Sequence, residues 1–169
     1  MHNANLPQII LTTAAGACAE VVAHGAHVTS WIPASGAARL FLSEKSAFQT
    51  GAAIRGGVPV VFPQFSQLGP LPKHGLVRTQ PWEVSHADRS TAALRSGDSD
   101  FTRGLWPYAF NAQLSVTLED TRLLIELVIT NMDEKPFTFT CAAHVSASTR
   151  HPADSDRKSG RAALSRCRA

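Results

Sequence analysis

The chain has 169 residues, of which 44% are hydrophobic and 17% are charged, and its net charge is +3. This length and composition predict one domain that can bury an apolar core. The basic balance lies at the C-terminal end, where residues 145–169 hold six Arg or Lys and two Asp, or +4, which leaves −1 for the rest. A basic surface for nucleic acid is therefore not predicted.

The sequence carries no targeting or membrane signal that we can identify. The N-terminal residues MHNANLPQIIL lack the basic segment and long apolar run of a secretory signal. No stretch approaches the roughly 20 apolar residues of a membrane-spanning helix. We therefore expect a cytoplasmic protein without a membrane partner.

Short β-strands are predicted along the first half of the chain. Three apolar runs are bracketed by Pro and Gly, and the second of them is broken at Gly25: QIILTT, ACAEVVAHGAHVTSWIP and ARLFLS. Residues 80–88 and 90–98 indicate two more short strands with polar turns between them. Trp82 lies within this strand pattern, so we expect it in the core.

The clearest pattern is the segment FNAQLSVTLEDTRLLIELVITNMD. Apolar and polar residues alternate from Phe110 to Leu118, which is typical of a strand with one buried face. A turn at EDT leads to a returning strand at 123–130, and PFTFTCAAH predicts a third strand. Regular short strands with turn signals favour an all-β antiparallel sandwich or barrel. No amphipathic helix is predicted before residue 145.

Residues 55–78, RGGVPVVFPQFSQLGPLPKHGLVR, combine four prolines with several glycines, two arginines, a lysine and a histidine. Proline and glycine both disfavour regular structure, so we expect a rigid, irregular loop. His74 is suited to proton transfer near neutral pH, although an ordinary surface histidine fits equally well. Arg55, Arg78 and Lys73 could hold an anion, or could be ordinary solvated charges.

The other histidines carry weaker signals. His144 ends the last predicted strand and could face a pocket or only a turn. His24 and His27 are three residues apart, so they point to opposite sides of an extended strand. A shared metal site is therefore less expected than two structural histidines.

The C-terminal end differs from the rest of the chain. Residues 145–169 contain no aromatic residue and are rich in Ser, Arg, Asp and Ala. Such a segment buries too little apolar area to offset its ordering entropy, so disorder is predicted. We divide the chain into a β domain over 1–144 and a basic tail over 145–169.

The motifs AHGAHVTSW, LFLS, AIRGGVPVVFPQF, LPKHGLVR and FTFTCAAH, in this order, resemble the glucose-6-phosphate 1-epimerase family, relatives of the aldose 1-epimerases. The resemblance extends from about Ile9 to His144. It implies an antiparallel β-sandwich of the galactose mutarotase type. It also implies interconversion of the α and β anomers of an aldohexose 6-phosphate, without a metal or nucleotide cofactor.

The resemblance assigns roles to individual residues. His144 corresponds to the family's general acid, and His74 to a histidine that binds or polarises the sugar. Arg55 and Arg78 correspond to arginines that contact the substrate, and Gln64 and Lys73 lie in the same motifs and are expected at the pocket. The partner implied is a hexose 6-phosphate, with no nucleic acid or membrane.

The resemblance ends at His144. Family members continue for roughly a hundred residues or more and there carry the general-base glutamate, whereas VSASTRHPADSD follows here. A frameshift that substitutes an out-of-frame tail and an early stop is the simplest interpretation, and a natural short variant is the less favoured one. The alternatives to an active epimerase are an inactive remnant or sugar-phosphate binder that lacks the base, and an interaction module whose basic tail binds an acidic partner.

Overall fold

The computed structural model describes residues 6–147, which are nearly all-β. The strands, in chain order, are β1 (Gln8–Thr12), β2 (Cys18–Val22), β3 (His27–Ile32), β4 (Val60–Val61), β5 (Glu83–Ala87), β6 (Thr91–Gly97), β7 (Phe110–Leu118), β8 (Leu123–Asn131) and β9 (Ala142–Ala143). A 3₁₀ turn spans Val77–Thr79, and one short helix, α1, spans Asp100–Leu105. The chain is thus built from short strands joined by irregular loops.

All strand pairs are antiparallel, and they form three sheets. The first has the order β1-β2-β3, the second joins β4 to β9, and the third has the order β5-β6-β7-β8. The pairing of β7 with β8 runs without interruption from Phe110↔Asn131 to Leu118↔Leu123. In contrast, β4 and β9 lie about 80 residues apart in sequence, so their pairing brings the end of the β domain back to the proline-rich loop.

The apolar core contains residues from both larger sheets. Leu11, Val21 and Val28 represent the first sheet, Leu94 and Leu114 the third, and each is at most 1% exposed. The side chains of β7 alternate between buried and more exposed positions from Phe110 to Leu118, as the period-two pattern predicts. In contrast, β2 is buried at every position, so this strand contributes both of its faces to the interior.

The predicted strands are confirmed where the apolar pattern is long. ARLFLS is not a strand, because it forms only isolated bridges, at Leu40 and Leu42. The predicted strand PFTFTCAAH is regular only at Ala142–Ala143. Its aromatic residues instead pack edge-on into a cluster around Phe62. Aromatic packing therefore took precedence over ladder hydrogen bonds in this segment.

Helix α1 was not predicted, because six residues are too few to show a helical period. Its first turn is fixed by a capping box: the Ser99 hydroxyl accepts from the Thr102 N–H, and the Thr102 hydroxyl accepts from the Ser99 N–H. Among the residues described, no helix is long and apolar enough to cross a membrane.

The β structure continues slightly past the predicted domain boundary. The Ser146 N–H donates to Gly57 O at 2.9 Å, and the Ser146 carbonyl accepts from the Phe41 N–H at 2.8 Å. These bonds hold residues 145–147 between two loops of the β domain. The disorder predicted for the rest of the tail concerns residues 148–169, which lie outside the described residues.

Replacing Leu114 by Ala tests the core. Leu114 is 1% exposed, so truncation should lower the free energy of unfolding by about 2–5 kcal/mol through lost burial and cavity formation. Urea denaturation of both proteins measures the difference. Gln113→Ala is the control, because Gln113 is an exposed neighbour on β7 and its loss should change stability by less than about 0.5 kcal/mol. Equal effects of the two substitutions would contradict the described orientation of β7.

Candidate active site

Arg55 lies in a loop that is fixed to residues 43–46. The Arg55 carbonyl accepts from the Ser43 N–H at 3.0 Å and from the Ser46 hydroxyl at 3.1 Å. The Ser46 oxygen in turn accepts from the Arg55 N–H at 3.0 Å. These bonds place Lys45 beside Arg55, although ten residues separate the two in sequence.

The two glycines after Arg55 are required by the backbone. Gly56 and Gly57 both have positive φ, 93° and 60°. A Cβ at Gly56 would lie 2.3 Å from Phe41 O, and one at Gly57 would lie 2.3 Å from Val28 O. A side chain at either position would adopt an unfavourable φ and would clash with a neighbouring backbone carbonyl. The two glycines of the RGG motif therefore let this loop lie directly against neighbouring backbone.

Two buried histidines form hydrogen bonds to the backbone of the loop that carries Arg55. Nε2 of His24 lies 2.9 Å from Ala52 O, and Nε2 of His27 lies 2.7 Å from Gly56 O, so both act as donors. They therefore anchor the backbone on either side of Arg55, which fits the structural role predicted for them. Within residues 6–147 no group of three or more His, Cys, Asp or Glu side chains is placed to hold a metal ion.

The environment of His27 keeps its ring neutral. Burial lowers its pKa from 6.5 to about 4, and the charges of His24 and Arg78 act in the same direction, while the bond to Gly56 O opposes them. A neutral ring with its proton on Nε2 still donates to Gly56 O. The burial and the hydrogen bond are therefore mutually consistent.

Gln64 organises the next part of the loop. It is 4% exposed. Its amide nitrogen donates to Leu71 O at 3.0 Å, and its amide oxygen accepts from the Leu71 N–H at 2.9 Å. Gln64 was predicted at the substrate, but its amide is engaged within the loop, and it is not one of the residues that line the cavity described below.

His74 is presented by a strained turn. Its φ is +68°, and its N–H donates to Ser66 O at 2.9 Å. The Ser66 N–H donates to Nδ1 of His74 at 3.2 Å. Because Nδ1 accepts, the neutral ring carries its proton on Nε2. Burial, and then the charges of Arg78, Lys73 and His144, lower the pKa of His74, which favours this neutral donor form.

Arg78 follows on the 3₁₀ turn and is half-buried. Its Nη2 donates to Lys73 O at 2.9 Å. Its Nε is buried without a hydrogen-bond partner among residues 6–147. Burial also lowers the pKa of Arg78. The guanidinium thus retains donor capacity in a partly desolvated position, where an anion would be bound most strongly.

His144 reaches the site through β9. Its N–H donates to Pro59 O at 3.3 Å, next to the pairing of β9 with β4. The Thr140 N–H also donates to Pro63 O, at 3.0 Å. The imidazole is exposed, and its charge contributes to the lowered pKa of His74. The pairing of β9 with β4 therefore carries the backbone of His144 to the loop that holds His74, 70 residues earlier in the sequence, but His144 is not one of the residues that line the cavity described below.

Arg55, His74 and Arg78 line an open cavity of about 470 Å³. Its lining contains Lys45, Arg55, Lys73, His74 and Arg78, together with Ala47, Ala52 and Ala53. The ion pairs found among residues 6–147 involve none of its four cationic side chains, and no carboxylate lines it. An uncompensated cluster of four cations is costly unless an anion is bound, so the cavity is suited to an anionic ligand.

A second groove, of about 350 Å³, lies elsewhere and is lined by residues of β5, β6 and β7 and of the segments that adjoin them. Its arginine, Arg95, is paired with Glu83 at 3.3 Å. Because that charge is compensated, we assign the chemistry to the cation-lined cavity.

The structure therefore brings together most of the residues predicted for the site. His74, Arg55, Arg78 and Lys73 line one cavity, and His144 acts electrostatically on His74. Sequence reasoning missed Lys45. Its position in SEKS carries no sign of proximity to Arg55, because the contact is created by the Ser43 and Ser46 hydrogen bonds.

Comparisons with known proteins identify the family. The model of the family described as aldose 1-epimerase matches residues 7–146. The chain belongs to the aldose 1-epimerase family. It is 34% identical over 153 residues to a Cenchrus ciliaris protein named "Putative glucose-6-phosphate 1-epimerase", which covers 82% of this chain and 46% of that protein. An Escherichia coli K12 protein of the same name is 43% identical over 93 residues, which covers 51% of this chain and 31% of that protein.

Solved structures confirm the fold of this aldose 1-epimerase family member. A structure named a "putative mutarotase" from Salmonella typhimurium matches with a TM-score of 0.65 at 32% identity, and covers 74% of this chain and 44% of that one. A galactose mutarotase related enzyme from Lactobacillus acidophilus matches with a TM-score of 0.74 at 17% identity, over 90% and 52%. The predicted galactose mutarotase-like, all-β fold is thus confirmed. The chain spans about half or less of the length of these proteins.

The pKa of His27 predicts how stability depends on pH. The unfolded chain takes up this proton near pH 6.5 and the folded protein near 4. Between these values the unfolded state holds more protons, so the free energy of unfolding should fall by about 3 kcal/mol as the pH decreases from 6.5 to 4. Urea denaturation across this range measures the change.

His27→Gln isolates the contribution of this ring, because a glutamine amide donates a hydrogen bond without titrating. Its stability should depend less steeply on pH than that of the original chain. His86→Gln is the control, since His86 is exposed on β5 and the steep dependence should persist. Equal slopes in the original chain and in His27→Gln would show that His27 is not the group responsible.

Proposed function

We propose that this chain binds an aldohexose 6-phosphate and supplies the phosphate-holding and acid groups for interconversion of its α and β anomers. The observation that carries the proposal is the cavity in which four cations, unpaired with any described carboxylate, lie beside His74. The names of the relatives from Cenchrus ciliaris and Escherichia coli support the substrate class.

The cations are suited to the phosphate end of the substrate. A phosphate monoester carries close to two negative charges at neutral pH and several acceptor oxygens. Arg55 and Arg78 offer planar, bidentate donor sets, and Lys45 and Lys73 add point charges. Arg78 has an unsatisfied Nε in a half-buried position, so we assign it the strongest single contact.

The histidines are suited to the hemiacetal end. Ring opening breaks the C1–O5 bond as an acid gives a proton to O5 and a base removes the proton of the C1 hydroxyl. The open aldehyde rotates about C1–C2, and the reverse transfers close the other anomer. We assign His144 as the acid at O5, and His74 as a donor to a sugar oxygen through Nε2. These steps move only protons, so the proposal invokes no metal or nucleotide.

The base is the component that the described cavity does not contain. Among residues 6–147 no carboxylate lines this cavity, whereas the family resemblance assigns the role of base to a glutamate. This observation favours a second candidate function, which is binding of the sugar phosphate without accelerated anomer exchange. The cytoplasmic location expected from the N-terminal sequence stays a prediction.

Replacement of Arg78 by Gln tests the phosphate site. Loss of a charged hydrogen bond is worth about 1.5–3 kcal/mol, so affinity for glucose 6-phosphate should fall about 10- to 100-fold. Isothermal titration calorimetry of the original chain and the variant measures this. Arg95→Gln is the control, because Arg95 is exposed, paired with Glu83 and remote from the cavity. An equal loss in both variants, or equal affinity for glucose and glucose 6-phosphate, would contradict the proposal.

Anomer exchange distinguishes the two candidate functions. Freshly dissolved α-glucose 6-phosphate is followed by proton NMR with and without the chain. If the chain is an epimerase, the β anomer should appear faster than in buffer. His144→Gln should then reduce the enzymatic rate by about 10²- to 10⁴-fold, since a positioned acid contributes that much. Binding at the background rate would establish the second function and exclude catalysis by this chain.

A further inference from the structure

Strand β8 is an unprotected edge of the four-stranded sheet. Within residues 6–147 it pairs with β7 alone. Its nine residues, LLIELVITN, contain one charge. On one face Leu123, Ile125, Leu127 and Ile129 pack against the core but stay only partly buried. On the other face Leu124 and Val128 are each 46% exposed. A long apolar edge of this kind is a template for another strand.

The opposite edge of the same sheet is protected. β5 has Glu83 and His86 among its five exposed residues, and its pairing with β6 is interrupted by a bulge between Val84 and His86. Charges and bulges are the usual means of preventing edge-to-edge association. Of the two edge strands of this described sheet, only β8 is therefore long, regular and apolar enough to pair with another strand.

The backbone of β8 directs its odd-numbered amides outward. The Leu118 N–H donates to Ser90 O, on the side of β7 away from β8, and the Met132 N–H donates to Ala109 O, on the β7 side. Along a strand, successive N–H and C=O groups point alternately to its two sides. Two directly paired residues of antiparallel strands point either both toward each other or both away from each other. The N–H and C=O groups of Ile125, Leu127 and Ile129 thus face away from β7, ready to pair.

We propose that two copies of this chain associate through β8, antiparallel and about a two-fold axis at Leu127. In an antiparallel pair about a two-fold axis, the two residue numbers of every pair have the same sum. Leu127 therefore pairs with Leu127 of the other copy, and Ile125 pairs with Ile129 of the other copy. This register pairs all nine residues of the strand, and it uses the outward amides. Four strands from each copy then form one continuous sheet.

The charge pattern supports the same register. Glu126 lies opposite Val128 of the other copy, so the two acidic groups never face each other. An axis at Glu126 would place them directly opposite, and would also use amides already bonded to β7. An axis at Ile125 or Ile129 would pair only five residues of β8. The Leu127 register is therefore favoured by hydrogen bonding, overlap and charge together.

The register predicts opposite effects for two substitutions at one position. Val128→Glu places a new carboxylate opposite Glu126 of the other copy, twice per dimer, and should weaken association about 10-fold. Val128→Lys places an ammonium there and should retain or strengthen association. Sedimentation equilibrium across a concentration series measures the dimer dissociation constant, with circular dichroism to confirm that each variant is folded.

Matched controls and a rescue complete the test. Val84→Glu and Val84→Lys change a similarly exposed valine, 40% against 46%, on the opposite edge, and should leave the dissociation constant unchanged. The double substitution Glu126→Lys with Val128→Glu restores opposite charges and should recover the dimer. A monomer at every concentration, an open-ended oligomer, or equal effects of Glu and Lys at 128 would each overturn the proposal.

Discussion

The hydrogen bond from His27 to the Gly56 carbonyl is the contact on which the candidate site depends. The bond is 2.7 Å long and partly buried; it needs a proton on Nε2 of His27 at one end and a glycine pair at the other. The glycines let the loop pass within van der Waals distance of β3 and of residue 41. Arg55 precedes this point, so its position follows from the packing of backbone against backbone.

A second constraint joins the C-terminal part of the described chain to the proline-rich loop. Pairing of β4 with β9 places the segment before His144 along the proline-rich loop, and further bonds from Thr140 and Ser146 extend that seam. The proline-rich loop carries His74 and most of the cations, and the hydrogen bonds around β9 position His144. Both histidines are therefore held by backbone hydrogen bonds, which lowers the entropy cost of positioning them about a ligand.

Four cations lie together at the cavity without a carboxylate partner among residues 6–147. Elsewhere on the described surface three arginines pair with a carboxylate and three cations do not, so clustering, and not the lack of a partner alone, distinguishes the cavity. Edge protection is similarly uneven, since β5 is charged and bulged and β8 is apolar and regular. These are the two places where we propose a ligand and a second copy of the chain.

The sequence by itself determined the features that depend on local pattern. Alternation from Phe110 to Leu118 settled the inward face of β7, and the EDT turn settled its pairing with β8, because a strand has period two and a hairpin is local. The motifs also indicated the family and five residues at or beside the cavity. Tertiary structure alone decided that Lys45 lies beside Arg55, that Gln64 serves the loop, and that PFTFT packs as an aromatic cluster. Those outcomes depend on contacts between segments far apart in the chain, and no local period records them.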